Sequence, residues 1–286
     1  MTTESTESTK STKSTESNQA ASRGATWLAA LSQGTPRLAD YPASVQVADG
    51  ELAGRPVRWI AVVPDAASPF PRARQGEVGL REGWTLAHAV HDAVQADRDA
   101  PVKRAIVAVV DTPSQAYGRR EEAFGIHQSL ASAADAYATA RLHGHPVIAL
   151  LVGKAMSGAF LAHGYQANRI VALADPGVQV HAMGKEAAAR ITMRSVEDLE
   201  AFAATVPPMA YDIDNYATLG LLWRQVPVSR AEAPEAGDVA TVRATLEAAL
   251  ADIDADPERD LRSRLGGENR QASARVREVL ARQWQG

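Results

Sequence analysis

Between Val152 and Gly164 the chain reads VGKAMSGAFLAHG, directly after the apolar run VIALL. A strand that gives way to a helix through small residues gathers main-chain N–H groups at one spot, unscreened by side chains. Such donors hold an anion, or an oxygen on which negative charge develops during a reaction. A phosphate-cradling P-loop needs Lys and Ser/Thr at once after its glycine, whereas Gly158 is followed by Ala159 and Phe160. A dinucleotide fingerprint needs three close glycines, and Gly153, Gly158 and Gly164 are set too far apart. The pentapeptide AMSGA centres Ser157 as a nucleophile elbow would. Its only later histidines, His163 and His181, lie too near for the acid-then-base order of that fold. The types and spacing favour an oxyanion site whose donors are the N–H groups of Gly158 and Ala159, with room for a thioester oxygen. Simple close packing of helix on sheet is the plain alternative reading of the same two residues.

A second loop strengthens the oxyanion reading. After the strand RAIVAVV comes DTPSQAYGRREEAFG, Asp111 to Gly125, in which Pro113 stops the strand and a polar loop leads to a helix. Two strand ends that open into helices can aim donors at one point, here Ser114 and Gln115 with Gly158 and Ala159. Near that point, His181 and Lys185 flank AMG, where either could bind a carboxylate or return a proton, and Ser157 could orient the substrate. Arg119 and Arg120 could meet phosphates. His143 and His145 bracket a glycine at a helix end. His88 and His91 lie three apart on one helix face, but without a third ligand in register they make no metal site.

The elements that must hold these residues form an α/β pattern. Strands are expected at Ser44 to Asp49, Arg55 to Val63, Arg104 to Val110, Pro146 to Val152 and Arg169 to Ala174. Helices are expected at Trp84 to Gln95, Glu121 to Leu142 and Ser157 to Gln166. The strands are apolar throughout, which suits a sheet covered on both faces. Beyond Val178 only helices are expected: one capped by Ser195, one opened by Pro207, then Val239 to Ile253 and Ala272 to Trp284. RLGGENR marks a turn before the last of these, and Ala231 to Gly237 a hinge.

The bulk composition removes several classes. Residues 1–23 repeat Ser/Thr with Glu or Lys and hold almost no apolar side chains, so they read as a disordered tail. Residues 24–230 form the expected domain and 231–286 a helical arm. The net charge of −4 lies in the body without a basic stripe, which argues against nucleic acid. No apolar run is long enough to span a membrane. With no cysteine, disulfides, thiolate chemistry and Cys-based zinc sites are out, and a cytoplasmic protein is the fitting expectation.

Over Asp111 to Thr192, and again over RSRLGGENRQASARVREVLARQW near the end, the sequence resembles the gamma subunits of biotin-independent malonate decarboxylase. These belong to the carboxyltransferase branch of the crotonase superfamily, and the likeness runs from about Gly50 to the end. HAMGKEAAARIT, His181 to Thr192, separates them from ordinary acyl-CoA carboxyltransferases. The resemblance implies a crotonase-like spiral of ββα units, paired with a homologous beta subunit. It implies decarboxylation of a malonyl thioester on the phosphoribosyl-dephospho-CoA arm of an acyl carrier protein, giving the acetyl thioester without biotin or metal. One departure is that Ser114 and Gln115 stand where many carboxyltransferases have glycine, which makes backbone donation depend on φ and space. Two other readings remain: a non-catalytic structural half of such a complex, and a serine hydrolase using Ser157.

Overall fold

The computed structural model describes residues 22–285. In chain order the elements are α1 (Arg23–Leu31), β1 (Val45–Leu52), β2 (Arg55–Val62), α2 (Leu80–Ala96), β3 (Ala105–Thr112), α3 (Arg119–Ala123), α4 (Ile126–Leu142) and β4 (Val147–Met156). There follow α5 (Ser157–Ala162), β5 (Arg169–Leu173), β6 (Gln179–His181), α6 (Lys185–Thr192), α7 (Val196–Ala203), α8 (Ile213–Thr218), β7 (Arg224–Val226), α9 (Ala236–Ala255) and α10 (Gln271–Trp284). The strands make one sheet in the order β1-β2-β3-β4-β5-β7, with β6 paired to β4 off that path. Only β1 and β2 run antiparallel; the other pairs are parallel.

Nearly every residue of β3, β4 and β5 is buried. Because successive side chains of a strand point to opposite faces, this pattern requires cover on both, as the apolar runs lead one to expect. α2, α4 and α5 pack among themselves and on β1 to β4, while α1 and α9 pack together and on the sheet. Trp27, Trp59 and Tyr137 are fully buried in the resulting core. Each such side chain contributes of the order of 1.5–3 kcal/mol on burial.

Several boundaries differ from the sequence expectation, each for a physical reason. β4 does not end at Gly153 but continues to Met156. Its first part pairs with β5 at Ile148 to Leu151, and its last residues, Lys154 to Met156, pair with β6. A register shift between Val110 and Thr112 on β3 accompanies this change of partner. Gly153 is a glycine because a Cβ there would lie 2.1 Å from Oδ1 of Asp111. That carboxylate accepts the Lys154 N–H at 3.1 Å and the Gly24 N–H at 3.3 Å, tying β4 to β3 and α1. Strands do occur beyond Val178, as β6 and β7, each three residues long.

The long helix expected from Glu121 is two, α3 and α4, parted at Gly125, whose φ is +80°. α5 stops at Ala162 because Gly164, at φ +102°, is wedged against Val110, Ala149 and Ala108. Ser195 caps α7 by accepting the Asp198 N–H, but Pro207 opens only a single 3-10 turn. Ser22 and Arg23, assigned to the tail by composition, cap and begin α1, and Arg23 bonds Asp175 at 2.7 Å. The rest of that tail lies outside the described residues. α9 sends Val242, Leu246, Ala249 and Ile253 into the main core, and the Trp27 indole donates to the Ala231 carbonyl at 2.8 Å. Within the expected hinge Ala231 is buried while Glu232, Ala233, Glu235, Ala236 and Gly237 are exposed, and α10 buries none of its residues.

Candidate functional site

The site lies where β4 ends. Ser157 takes φ +58°, a left-handed conformation uncommon for a residue with a side chain, and this kink turns the chain from strand into α5. The next residue, Gly158, forms part of the wall of a cleft of about 360 Å³. Around it stand Ser157, Phe160, Tyr165, His181 and Tyr216. The Gly158 N–H is not used in the helix. It donates to Oε1 of Gln115, 2.8 Å away, from the loop after β3. The two expected loops therefore meet, as the sequence reading requires.

The first loop is held by Val78, whose N–H donates to the Ser114 carbonyl at 3.0 Å and whose carbonyl accepts from Ala116 at 2.8 Å. Ser114 Oγ donates to the Gln115 carbonyl at 3.0 Å. The main-chain N–H groups of Ser114 and Gln115 find no acceptor among the described residues. Both residues are half-buried.

Ala159 departs from expectation. It is fully buried and is not among the residues that line the cleft, whereas its neighbours Gly158 and Phe160 are. Lys185 departs too. Its ammonium pairs with Glu200 at 2.5 Å and lies over the Tyr211 ring, lining a separate depression with Gln179 and Asp212. A carboxylate neighbour fifteen residues on diverts it from the cleft.

His181 does reach the cleft. Its ring stacks on Tyr211 with centroids 4.0 Å apart, and its Nδ1 lies 3.0 Å from the Met183 carbonyl oxygen and 3.2 Å from the Met183 nitrogen. Burial lowers its pKa, outweighing the hydrogen bond to the Met183 backbone, so the ring is neutral at pH 7. Tyr216 lines the cleft and Tyr211, stacked on His181, lines the neighbouring depression; sequence reasoning missed both, and among the described residues their hydroxyls are buried without partners. No spacing marks them, since both come from the short elements after β6.

His163 does not serve Ser157 as a general base would. His163 is buried, with Nδ1 3.0 Å from the Tyr137 hydroxyl and Nε2 3.2 Å from the Val109 carbonyl. A carbonyl only accepts, so Nε2 bears the hydrogen and Nδ1 accepts from Tyr137. Both ring nitrogens are thereby engaged away from Ser157. His145 contacts the Arg104 carbonyl, His143 that of Thr139, and His88 sits 3.4 Å from Asp92. Among the described residues no three His, Asp or Glu side chains cluster as metal ligands, and no helix is long and apolar enough to cross a membrane. Arg120 lies over the rings of Phe70 and Phe124 on the surface beside the first loop.

His163 carries a testable consequence for stability. Burial pushes its pKa from 6.5 down to about 4. Between those values the unfolded chain binds the proton and the folded one does not, so stability falls as pH drops through that window. The slope reaches about 1.4 kcal/mol per pH unit for one such group. Urea midpoints at pH 7 and pH 5 should differ, and His163→Gln should reduce that difference. An equal difference in the variant would show that the acid sensitivity arises elsewhere.

A mostly parallel sheet, a strand that changes partner near its end, and two strand-end loops meeting over a cleft define the chain as a carboxyltransferase-like member of the crotonase fold class. Transcarboxylase 12S shares this fold, at a TM-score of 0.60 and 21% identity over 79% of this chain and 40% of that one. Residues 73–284 match the family model of the malonate decarboxylase gamma subunit, and the chain belongs to that family. A chain of a Pseudomonas malonate decarboxylase hetero-tetramer, solved with coenzyme A, is 68% identical over 92% of this chain and 100% of its own, with a TM-score of 0.88. A chain of the Pseudomonas MdcD-MdcE hetero-dimer is 65% identical over 92% of this chain and 99% of its own, with a TM-score of 0.85. The malonyl-S-ACP:biotin-protein carboxyltransferase MADD of Malonomonas rubra is 39% identical over 154 residues. That match covers 53% of each protein, so the chain spans about half the length of that relative.

Proposed function

We propose that this chain is one half of a cytoplasmic malonyl-thioester decarboxylase, assembled with a homologous beta subunit and served by an acyl carrier protein. The substrate is malonyl-S-acyl carrier protein, on a phosphoribosyl-dephospho-CoA arm, and the products are the acetyl thioester and carbon dioxide. The observation that carries this reading is the Gly158 N–H, presented at a cleft wall and bonded to a side chain of the other strand-end loop. Family membership supports it independently.

The chemistry follows from the residues. When the bond between the α-carbon and the carboxylate breaks, its electron pair becomes an enolate with charge on the thioester oxygen. The Gly158 N–H meets that oxygen, with the Ser114 or Gln115 N–H of the first loop as the second donor. A donor of this kind is worth about 2.7–4 kcal/mol. The cleft is lined chiefly by apolar side chains such as Phe160, Val180 and Leu221 and has no lysine or arginine in its wall. Neutral His181 offers no positive charge there, so among the described residues this wall does not hold the carboxylate against its loss as carbon dioxide. His181, at the cleft wall, returns a proton to the carbanion, and Ser157 orients the acyl group. The route needs neither biotin nor a metal, because the amides alone carry the developing charge.

Reconstitution tests this. The chain combined with its beta partner and malonyl-loaded carrier is expected to release one carbon dioxide per acetyl thioester formed. Absence of release from an assembled, correctly loaded complex would overturn the proposal.

A further inference from the structure

The Gln115 side chain has a role that its main chain does not explain. Its Oε1 is an sp² amide oxygen placed 2.8 Å from the Gly158 nitrogen. This is the distance and the acceptor chemistry that a thioester or enolate oxygen would have on the same donor. A single N–H makes one well-aligned hydrogen bond, so the two oxygens compete for it. Steric proximity agrees: a Cβ built on Gly158 meets the Gln115 Oε1 at 3.3 Å, so the amide head covers the face of Gly158.

Resting on the function proposed above, we infer that the Gln115 side chain stands in for the substrate oxygen in the unloaded site, and that the thioester must displace it. This makes Gln115 a residue that sets acyl affinity through its side chain. The loop backbone need not move, because Val78 fixes it on both sides of Gln115 through the Ser114 carbonyl and the Ala116 N–H. Rotation of the side chain alone clears the donor. What holds it is one neutral hydrogen bond, since the Gln115 Nε2 has no acceptor among the described residues. Such a bond is weak enough for a thioester oxygen to displace, and an enolate displaces it more fully, because a charged acceptor binds the same N–H about twice as strongly. The stand-in therefore keeps a half-buried donor satisfied while the site is empty.

The test uses the reconstituted complex with acetyl-CoA as probe, measured by calorimetry, alongside kcat/KM for malonyl-loaded carrier. Gln115→Ala removes the competitor, and acetyl-CoA should bind about twofold to tenfold more tightly, the reach of one neutral hydrogen bond. Gln115→Glu offers a carboxylate of the same shape to the Gly158 N–H, and at pH 7 acetyl-CoA should bind about tenfold more weakly. A merely structural glutamine would shift melting temperature and leave both dissociation constants as in the wild type, which would overturn the inference. Weaker binding in Gln115→Ala would also overturn it, since the side chain would then be helping the acyl group to bind. Failure of the wild-type complex to decarboxylate would count against the proposed function instead, because the acetyl-CoA dissociation constants are read without turnover.

Discussion

Gly158→Leu, made in the assembled complex, should lower the decarboxylation rate about a hundredfold or more while assembly persists. Loss of one oxyanion donor costs about 10²–10³ in rate. A side chain at position 158 acts there directly: its Cβ would lie 3.3 Å from the Gln115 Oε1 and 3.4 Å from Leu130 Cδ1, and a leucine would extend into the space where the substrate oxygen must sit. The backbone itself is not the obstacle, because Gly158 is not among the residues with positive φ. The fold should therefore tolerate the change better than the chemistry does. Size-exclusion chromatography reports assembly and carbon dioxide release reports turnover. If this chain were only a structural half of the complex, turnover would survive with assembly.

The second large effect concerns stability. Gly220 has φ +71°, and a Cβ there would fall 1.7 Å from the Gly266 carbonyl oxygen. Reciprocally, a Cβ on Gly267 would lie 2.5 Å from the Leu219 carbonyl carbon. These are backbone-to-backbone approaches, which no rotamer change relieves. Gly220→Ala combines a strained left-handed residue with overpacking and should cost about 3 kcal/mol or more. For a chain of this size that lowers the melting temperature by about 6–12 °C. The segment that leads to α10 would loosen, so trypsin should cut earlier at Arg262, Arg264 and Arg270. An unchanged melt and cleavage pattern would show that the two segments can part without loss.

The same glycines illustrate what the sequence could and could not convey. RLGGENR is legible as a turn, but its contact with Gly220 joins residues far apart in the chain, and no local pattern encodes that approach. The long strands are legible because four to seven consecutive apolar, often β-branched residues leave few other choices. β6 and β7 are not, for three residues make no period, and their pairing depends on where β4 and β5 end. Gly153 looks like a strand terminator until the Asp111 carboxylate is seen against it.

At the site, the two loops and Gly158 are legible from small residues after apolar runs. Ala159, one residue beyond Gly158, is fully buried and absent from the cleft wall, a difference that no local pattern encodes. Lys185 pairs with Glu200, on another helix, a contact that no local spacing encodes. The Gln115 to Gly158 bond crosses 43 residues, and only the folded chain brings its ends together.

The most direct test is a structure of the assembled complex with acetyl-CoA bound. The account predicts the thioester oxygen about 2.7–3.1 Å from the Gly158 nitrogen, with the Gln115 amide turned aside. A thioester seated elsewhere, with Gln115 still holding the Gly158 N–H, would contradict it.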